Sequence, residues 1–400
     1  MTTTATRDAR RTAIVLAAAQ AIVGSAAPIA ISVGGLAGFY LLGADKSLAT
    51  APVTGFTIGV ALGAVPAALV LKRLRLRLGF MTGTGMTAAG GLVATLALFA
   101  QNFWLFAAGL ALIGIGNAFV QQFRFAAAES APAAFKARAI SFVLAGGVLT
   151  AIIGPQIVIF TRELMAPVMF ASVLGIAAVG ALMLSALPKR QPETHASAGA
   201  NVPARPLREI VRQPKYATGL LCGVGTYALM SFVMTGAPLA MVGCGFSTDQ
   251  AMLGISWHVM AMFAPSFFTG KLIARFGKER IVAAGLVLLI GCAVVALSGI
   301  ALWQFWTALV LLGIGWNFGF IGATAMVAET YHPSEKGRAL GFHDFVLFST
   351  VAFASFMSGL VYNFAGWEML NWIIFPVGLA CLASLAVLAL RPPSILAVRD

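Results

Sequence analysis

The chain has 400 residues, 60% hydrophobic and 10% charged, with a net charge of +13. A soluble protein carries about a quarter charged residues, so this composition excludes a soluble domain and leaves a polytopic membrane protein. The positive balance, 26 basic residues against 13 acidic, reads as membrane topology rather than nucleic-acid binding, because the basic residues sit in loops.

A spanning helix needs about 20 largely apolar residues. Runs of that kind number twelve, at 12–42, 48–71, 79–100, 102–127, 139–160, 165–187, 216–243, 250–274, 280–300, 303–328, 339–362 and 368–390. The first is too long for the apolar core of a cleaved signal peptide, which runs to about 15 residues. The longest polar interruption, Pro188–Pro214, is rich in Pro, Ala and charge. It reads as a solvated linker with a short surface helix near Leu207–Val211. The expected organisation is therefore an all-α membrane fold of twelve spans in two six-helix halves, 1–187 and 215–400, joined by the linker 188–214.

Orientation follows from Lys and Arg. With the N-terminus in the cytoplasm, 23 basic residues fall in inner segments and only Lys46 and Arg162 fall outside, with Arg124 inside a helix. So uneven a distribution places both termini in the cytoplasm. Pro28, Pro66, Pro155, Pro238, Pro265 and Pro376 fall inside expected helices, where neighbours or cavity water must satisfy the carbonyls they free. Cys222, Cys244, Cys292 and Cys381 are scattered through or beside apolar runs, with no CxxC or Cys/His cluster. They read as small packing residues, and no metal site or cofactor is expected.

One stretch occurs twice. Leu112–Ala139, LIGIGNAFVQQFRFAAAESAPAAFKARA, returns as Leu311–Ala339, LLGIGWNFGFIGATAMVAETYHPSEKGRA. Gly114, Ile115, Gly116 and Phe119 match Gly313, Ile314, Gly315 and Phe318. After one extra residue, Ala128, Glu129, Lys136, Arg138 and Ala139 match Ala328, Glu329, Lys336, Arg338 and Ala339. Each copy reads as a Gly-rich helix, a charged loop and the next helix, so the chain has two related halves.

Twelve spans as six plus six, a basic linker and repeated halves resemble the major facilitator superfamily over nearly the whole chain. That family carries a loop signature between its second and third helices. Here Gly270-Lys271-Leu272-Ile273-Ala274-Arg275-Phe276-Gly277-Lys278-Glu279-Arg280 keeps the glycines and Arg275 but has Ala274 where the family has Asp. The first-half copy keeps Arg77 and Gly79, with Lys72 and Leu76 replacing the first glycine and the Asp. In the family that Asp helps latch the two halves, so the usual latch is in doubt. Glu129 and Glu329, near Arg138 and Arg338, are candidate substitutes; ordinary loop ion pairs are the alternative. Gly154-Pro155 resembles a fragment of the motif of members that exchange drugs for protons. Gly313–Gly359 resembles a proteobacterial branch associated with riboflavin uptake.

Polar groups inside hydrocarbon usually face protein or water. Those on this chain are Gln20, Asn117, Gln121, Gln122, Arg124, Gln156, Tyr227, Trp257, His258, Trp316, Asn317, His343 and Asp344. Asp344 is the one carboxylate inside an apolar run, a candidate proton carrier beside His343; pairing with Arg124 is the alternative. Arg124 has Thr324 as its repeat counterpart, so the scaffold does not impose the charge. His258 is a candidate proton or substrate contact, or a packed polar residue. In the resembled family helices one, four, seven and ten line the cavity, which implies a site near Gln20, Asn117, Gln121, Tyr227, Trp316 and Asn317, with Trp257 and His258 beside it. Aromatic faces with amides suit a planar, largely neutral ligand; aromatics that only fill space are the alternative.

The expected function is secondary transport of a small organic solute by alternating access, as uptake of a flavin-like compound or as proton-coupled efflux of apolar compounds. No HExxH, CxxC, Walker or GxSxG motif is present, which argues against an enzyme. The expected partners are a small-molecule substrate, the bilayer of a bacterial inner membrane and, as a candidate coupling ion, the proton. The chain is expected to act as a monomer.

Overall fold

The computed structural model describes residues 3–74, 76–132, 135–161, 205–332 and 334–390, and every regular element among them is helical. The expected span 165–187 and residues 188–204 of the linker lie outside the described residues. Seven helices precede that gap: α1 (Thr3–Val23), α2 (Ala26–Leu41), α3 (Ala51–Arg73), α4 (Leu76–Phe99), α5 (Phe103–Val120), α6 (Phe123–Glu129) and α7 (Lys136–Thr161). Eight follow it: α8 (Leu207–Val211), α9 (Pro214–Gly243), α10 (Thr248–Phe263), α11 (Ser266–Phe276), α12 (Lys278–Leu297), α13 (Leu302–Ala328), α14 (Lys336–Trp372) and α15 (Ile374–Leu390). The short helix α8 lies where the linker sequence places it.

Among the described residues eight stretches are long and apolar enough to cross a membrane, or nine if α10 and α11 form one bent span. One of the eight, Arg338–Leu390, runs 53 residues. At 1.5 Å per residue a straight helix of that length would reach about 80 Å, far beyond a hydrocarbon core of about 30 Å. It is broken at Gly366, whose φ of 73° places it outside helical geometry, a conformation that glycine adopts at little cost.

Three spans are broken in mid-course, each for a local reason. Pro28 sits in the first turn of α2 and has no N–H, and the chain interrupts at Gly24-Ser25, where the Ser25 hydroxyl donates to the Ile22 carbonyl. Pro265 separates α10 from α11, which meet at a bend of 43°. Between α5 and α6, Gln121 and Gln122 form a tight turn in which Gln122 N–H donates to the Phe119 carbonyl. Breaks of this kind survive in a membrane only where the freed groups meet protein or a polar cavity.

The helices are apolar on nearly every face, so hydrophobicity alone cannot choose which face turns inward. Small residues choose it instead. A Cβ on Gly114 would meet the Phe56 carbonyl oxygen at 2.0 Å, and one on Gly116 would meet Thr87 Oγ1 at 2.1 Å and the Gly83 carbonyl at 2.8 Å. Their repeat counterparts do the same work. A Cβ on Gly313 would meet the His258 carbonyl at 2.5 Å, and one on Gly315 the Gly285 carbonyl at 2.9 Å. Thus α5 packs on α3 and α4 as α13 packs on α10 and α12. The Gly-Ile-Gly repeat fixes backbone-to-backbone contact twice over.

Helices before the gap meet helices after it through α7 against α10, α3 against α14, and α2 against α9 and α10. At the end of the bundle remote from the basic loops, Gly359 N–H donates to Thr50 Oγ1 at 3.1 Å, and Thr50 Oγ1 donates to the Phe356 carbonyl at 3.4 Å. That contact ties the start of α3 to α14.

Candidate functional site

A cavity among these helices measures about 190 Å³, room on the order of a dozen waters. Its polar lining includes Gln20 on α1, Asn117 on α5, Gln121 in the α5–α6 turn, and Arg124 on α6. Its aromatic lining is clustered. Trp316 stacks on Phe320 with ring centroids 5.2 Å apart, and Tyr227 meets both edgewise or tilted at 5.4 and 5.2 Å. Phe263 and Phe348 extend the wall. Met230, Met234 and Met262 also line it with flexible thioethers, side chains that repack around different shapes.

Of the residues expected at a substrate site, the structure brings Gln20, Asn117, Gln121, Tyr227 and Trp316 together in this lining, along with Arg124. Among the described residues, none of the amides of Gln20, Asn117 and Gln121, nor the Tyr227 hydroxyl, makes a hydrogen bond to protein. The helix breaks explain their availability: Gln121 sits in the α5–α6 turn and Gln20 just before the α1–α2 break. Thr150 Oγ1 donates to the Gln20 backbone carbonyl at 2.8 Å and holds that break against α7. Phe320 and Phe348 were not anticipated. Phe320 lies one turn beyond Trp316, so i, i+4 spacing would have found it.

Three expected site residues lie elsewhere. Asn317 is fully buried and faces the α10–α11 bend, where its Nδ2 donates to the Met262 carbonyl at 2.6 Å and to Ser266 Oγ at 2.7 Å, and its Oδ1 accepts from Thr269 Oγ1 at 2.6 Å. It supplies the partner that the Pro265 break removes. One residue beyond Trp316, it points about 100° away around the helix. His258 is fully buried, its Nδ1 2.8 Å from the Leu309 carbonyl and its Nε2 without a partner. The contact to a carbonyl requires a proton on Nδ1, so His258 ties α10 to α13 and does not reach the cavity. Trp257 is 46% exposed on the outside of the bundle.

The charges also part from expectation. Arg124 and Asp344 form no ion pair within 4 Å. Asp344 is half exposed and lies 3.1 Å from Nδ1 of buried His343. Arg124 packs its guanidinium over Phe125 at 4.8 Å, and its buried Nε has no partner. Glu329 pairs with Lys215 at 2.7 Å and with Lys278 rather than with Arg338, which is exposed. The side chains of Glu129 and Arg138 lie outside the described residues. Arg275 is exposed against Phe276 at 5.2 Å, and Gly277, with a φ of 88°, makes the one-residue turn from α11 to α12.

The sequence offered no hint of a tighter contact at this end. Glu335, fully buried, accepts from Arg205 Nε at 2.7 Å, Arg205 Nη2 at 2.8 Å, Arg205 N–H at 2.8 Å and His332 N–H at 2.9 Å. Arg205 also donates to the Thr330 carbonyl at 3.0 Å, as does Gln213 Nε2. The Arg205 fork holds the Glu335 carboxyl down at about 2 and is itself raised by it. The end of the linker is thereby fastened to the loop between α13 and α14.

Family comparison matches the Major Facilitator Superfamily over residues 12–316 and again over 219–399. The chain belongs to that superfamily. As a facilitator it is a secondary transporter of a small organic solute, not an enzyme, and a multi-pass membrane protein. It is 48% identical over 390 residues to "Riboflavin transporter RfnT" of Brucella anthropi, covering 96% of this chain and 97% of that one. It is 26% identical over 382 residues to "Uncharacterized MFS-type transporter YddS" of Bacillus subtilis, covering 90% and 87%. The crystal structure of the human organic anion transporter MFSD10 (TETRAN) shares the facilitator fold, with a TM-score of 0.67 and 14% identity over 94% of this chain and 99% of that one.

Proposed function

We propose that this facilitator takes up riboflavin, or a planar solute very like it, across the bacterial inner membrane. The observation that carries the reading is the cavity itself. A stack of Trp316 on Phe320, with Tyr227 edgewise or tilted against both, shares the lining with amides of Gln20, Asn117 and Gln121 that no group among the described residues uses. A tricyclic, largely neutral ring with hydrogen-bonding edges matches both kinds of lining. Near full-length similarity to a riboflavin transporter supports the same reading.

The architecture proposed is twelve spans in two halves, 1–187 and 215–400, joined by the linker 188–214, with both termini on the cytoplasmic side and one chain as the working unit. Three features support the count. The stretch Arg338–Leu390 is divided at Gly366, α10 with α11 reads as one span, and α7 contains the shorter apolar segment Phe142–Ile157. With the far end closed by Thr50 and Gly359, the cavity would open toward the basic loops, and the halves would rock about it. Asp344, half exposed beside His343, is the candidate proton carrier. On that reading Asp344→Asn abolishes gradient-driven accumulation and spares counterflow exchange; unchanged accumulation would remove the role.

The deciding experiment expresses the chain in a bacterial strain that can neither make nor import riboflavin. Growth at low external riboflavin with saturable uptake of labelled vitamin is the expected result. No rescue despite membrane expression overturns the flavin reading and brings dye-efflux assays forward.

A further inference from the structure

The polar groups of the cavity are not all alike. Amides and the Tyr227 hydroxyl both give and accept hydrogen bonds, so they suit either kind of partner. Two groups are fixed as donors. Arg124 lines the cavity with a buried Nε that has no partner, and Trp316, 8% exposed, has a buried indole N–H that also has none. A guanidinium and an indole can only donate. Arg124 is the one charged side chain among the described residues of the lining, and no carboxylate joins it there. Asp344 lies within electrostatic range but makes no contact with it.

A guanidinium held in low dielectric without an ion pair is destabilising. The fold does not require it, because the corresponding Thr324 of the second repeat returns its hydroxyl to the Phe320 carbonyl of its own helix at 2.8 Å. The buried Arg124 Nε is free, among the described residues, to meet an acceptor from outside the protein. We propose that Arg124, with the Trp316 indole N–H, is the specificity-determining group of the cavity. It selects aromatic solutes that present carbonyl, imine or anionic oxygen and nitrogen acceptors along one edge, and it rejects planar cations. The inference rests on the transport reading above and names what the site demands of its substrate: stacking admits any flat ring, and the donor edge sorts among them.

The test is binding to purified protein by equilibrium dialysis with three planar probes. Riboflavin carries ring carbonyls and imine nitrogens, fluorescein carries anionic oxygens, and proflavine is a cation without carbonyls. The wild type is expected to bind riboflavin or fluorescein at least tenfold more tightly than proflavine. Arg124→Gln should lose ten- to a hundredfold in affinity for the acceptor-bearing probe, the range of a charge-assisted hydrogen bond, and should gain affinity for proflavine. Arg124→Lys, which keeps the charge and loses the planar fork, should fall between. Trp316→Phe keeps the stack and should weaken only acceptor-bearing probes. Monodisperse elution of each variant separates lost affinity from lost fold.

The outcomes distinguish the two readings. Riboflavin bound equally by wild type and by well-folded Arg124→Gln leaves the flavin reading standing and overturns the role of Arg124. Fluorescein bound in an Arg124-dependent way, with riboflavin ignored, does the reverse. Proflavine bound by the wild type as tightly as the others overturns the selectivity, and binding of none of the three overturns both readings.

Discussion

The Arg205–Glu335 clasp gives the sharpest quantitative expectation. Glu335→Gln removes a carboxylate that accepts from two guanidinium nitrogens and two backbone amides. Holding a carboxyl at about 2 instead of 4.5 corresponds to about 3 kcal/mol. Arg205 is 35% exposed, so water already screens part of that attraction, and the local coupling is expected at about 1–3 kcal/mol. The amides that report it are those of Arg205 and His332, which both end on Glu335. Hydrogen exchange of peptides spanning 205–213 and 330–339 should therefore quicken about five- to a hundredfold in the variant at pH 7. The sign with pH follows from a lowered carboxyl. Its contribution is complete above about 4.5 and fades as pH falls toward 2. Acidification across that window should loosen the wild-type clasp and leave Glu335→Gln indifferent. Equal protection in wild type and variant at pH 7 would refute the reasoning.

Other perturbations test other contacts. A Cβ on Gly359 would meet Thr50 Oγ1 at 2.2 Å, so Gly359→Ala should wedge the far end open; labelling of a cysteine placed at Ala51 should rise, and unchanged labelling would argue against closure there. Asn317→Ala strands the Met262 carbonyl and leaves Ser266 Oγ without its donor at the α10–α11 bend, while Thr269 Oγ1 keeps the Pro265 carbonyl. The expected loss is about 1–2 kcal/mol, each stranded group costing on the order of 1 kcal/mol; it would appear as a lower melting temperature in detergent. His258 bonds to the Leu309 carbonyl away from the cavity, so a stably folded His258→Asn should keep the wild-type pH profile of transport. A shifted profile would return His258 to the coupling machinery.

The basic-loop asymmetry, the linker helix Leu207–Val211 and the repeated Gly-Ile-Gly segments were legible from residue order alone, because run length, charge placement and repetition are properties of the linear chain. Facing was not. In an environment as apolar as the side chains themselves, hydrophobicity does not tell inside from outside. Asn317 and Trp316 are adjacent in sequence, yet one braces a proline bend and the other walls the cavity. Charge partnership was equally hidden. Glu329 chose Lys215 and Lys278 over the nearer-looking Arg338, and Glu335 found Arg205 130 residues away. Pairing of that kind depends on which loops the bundle brings together at one end. The sequence by itself determined that this is a multi-pass membrane protein in which one Gly-rich segment occurs twice. Only tertiary packing decided which of its buried polar groups brace the helices and which, like Arg124 Nε, find no partner among the described residues.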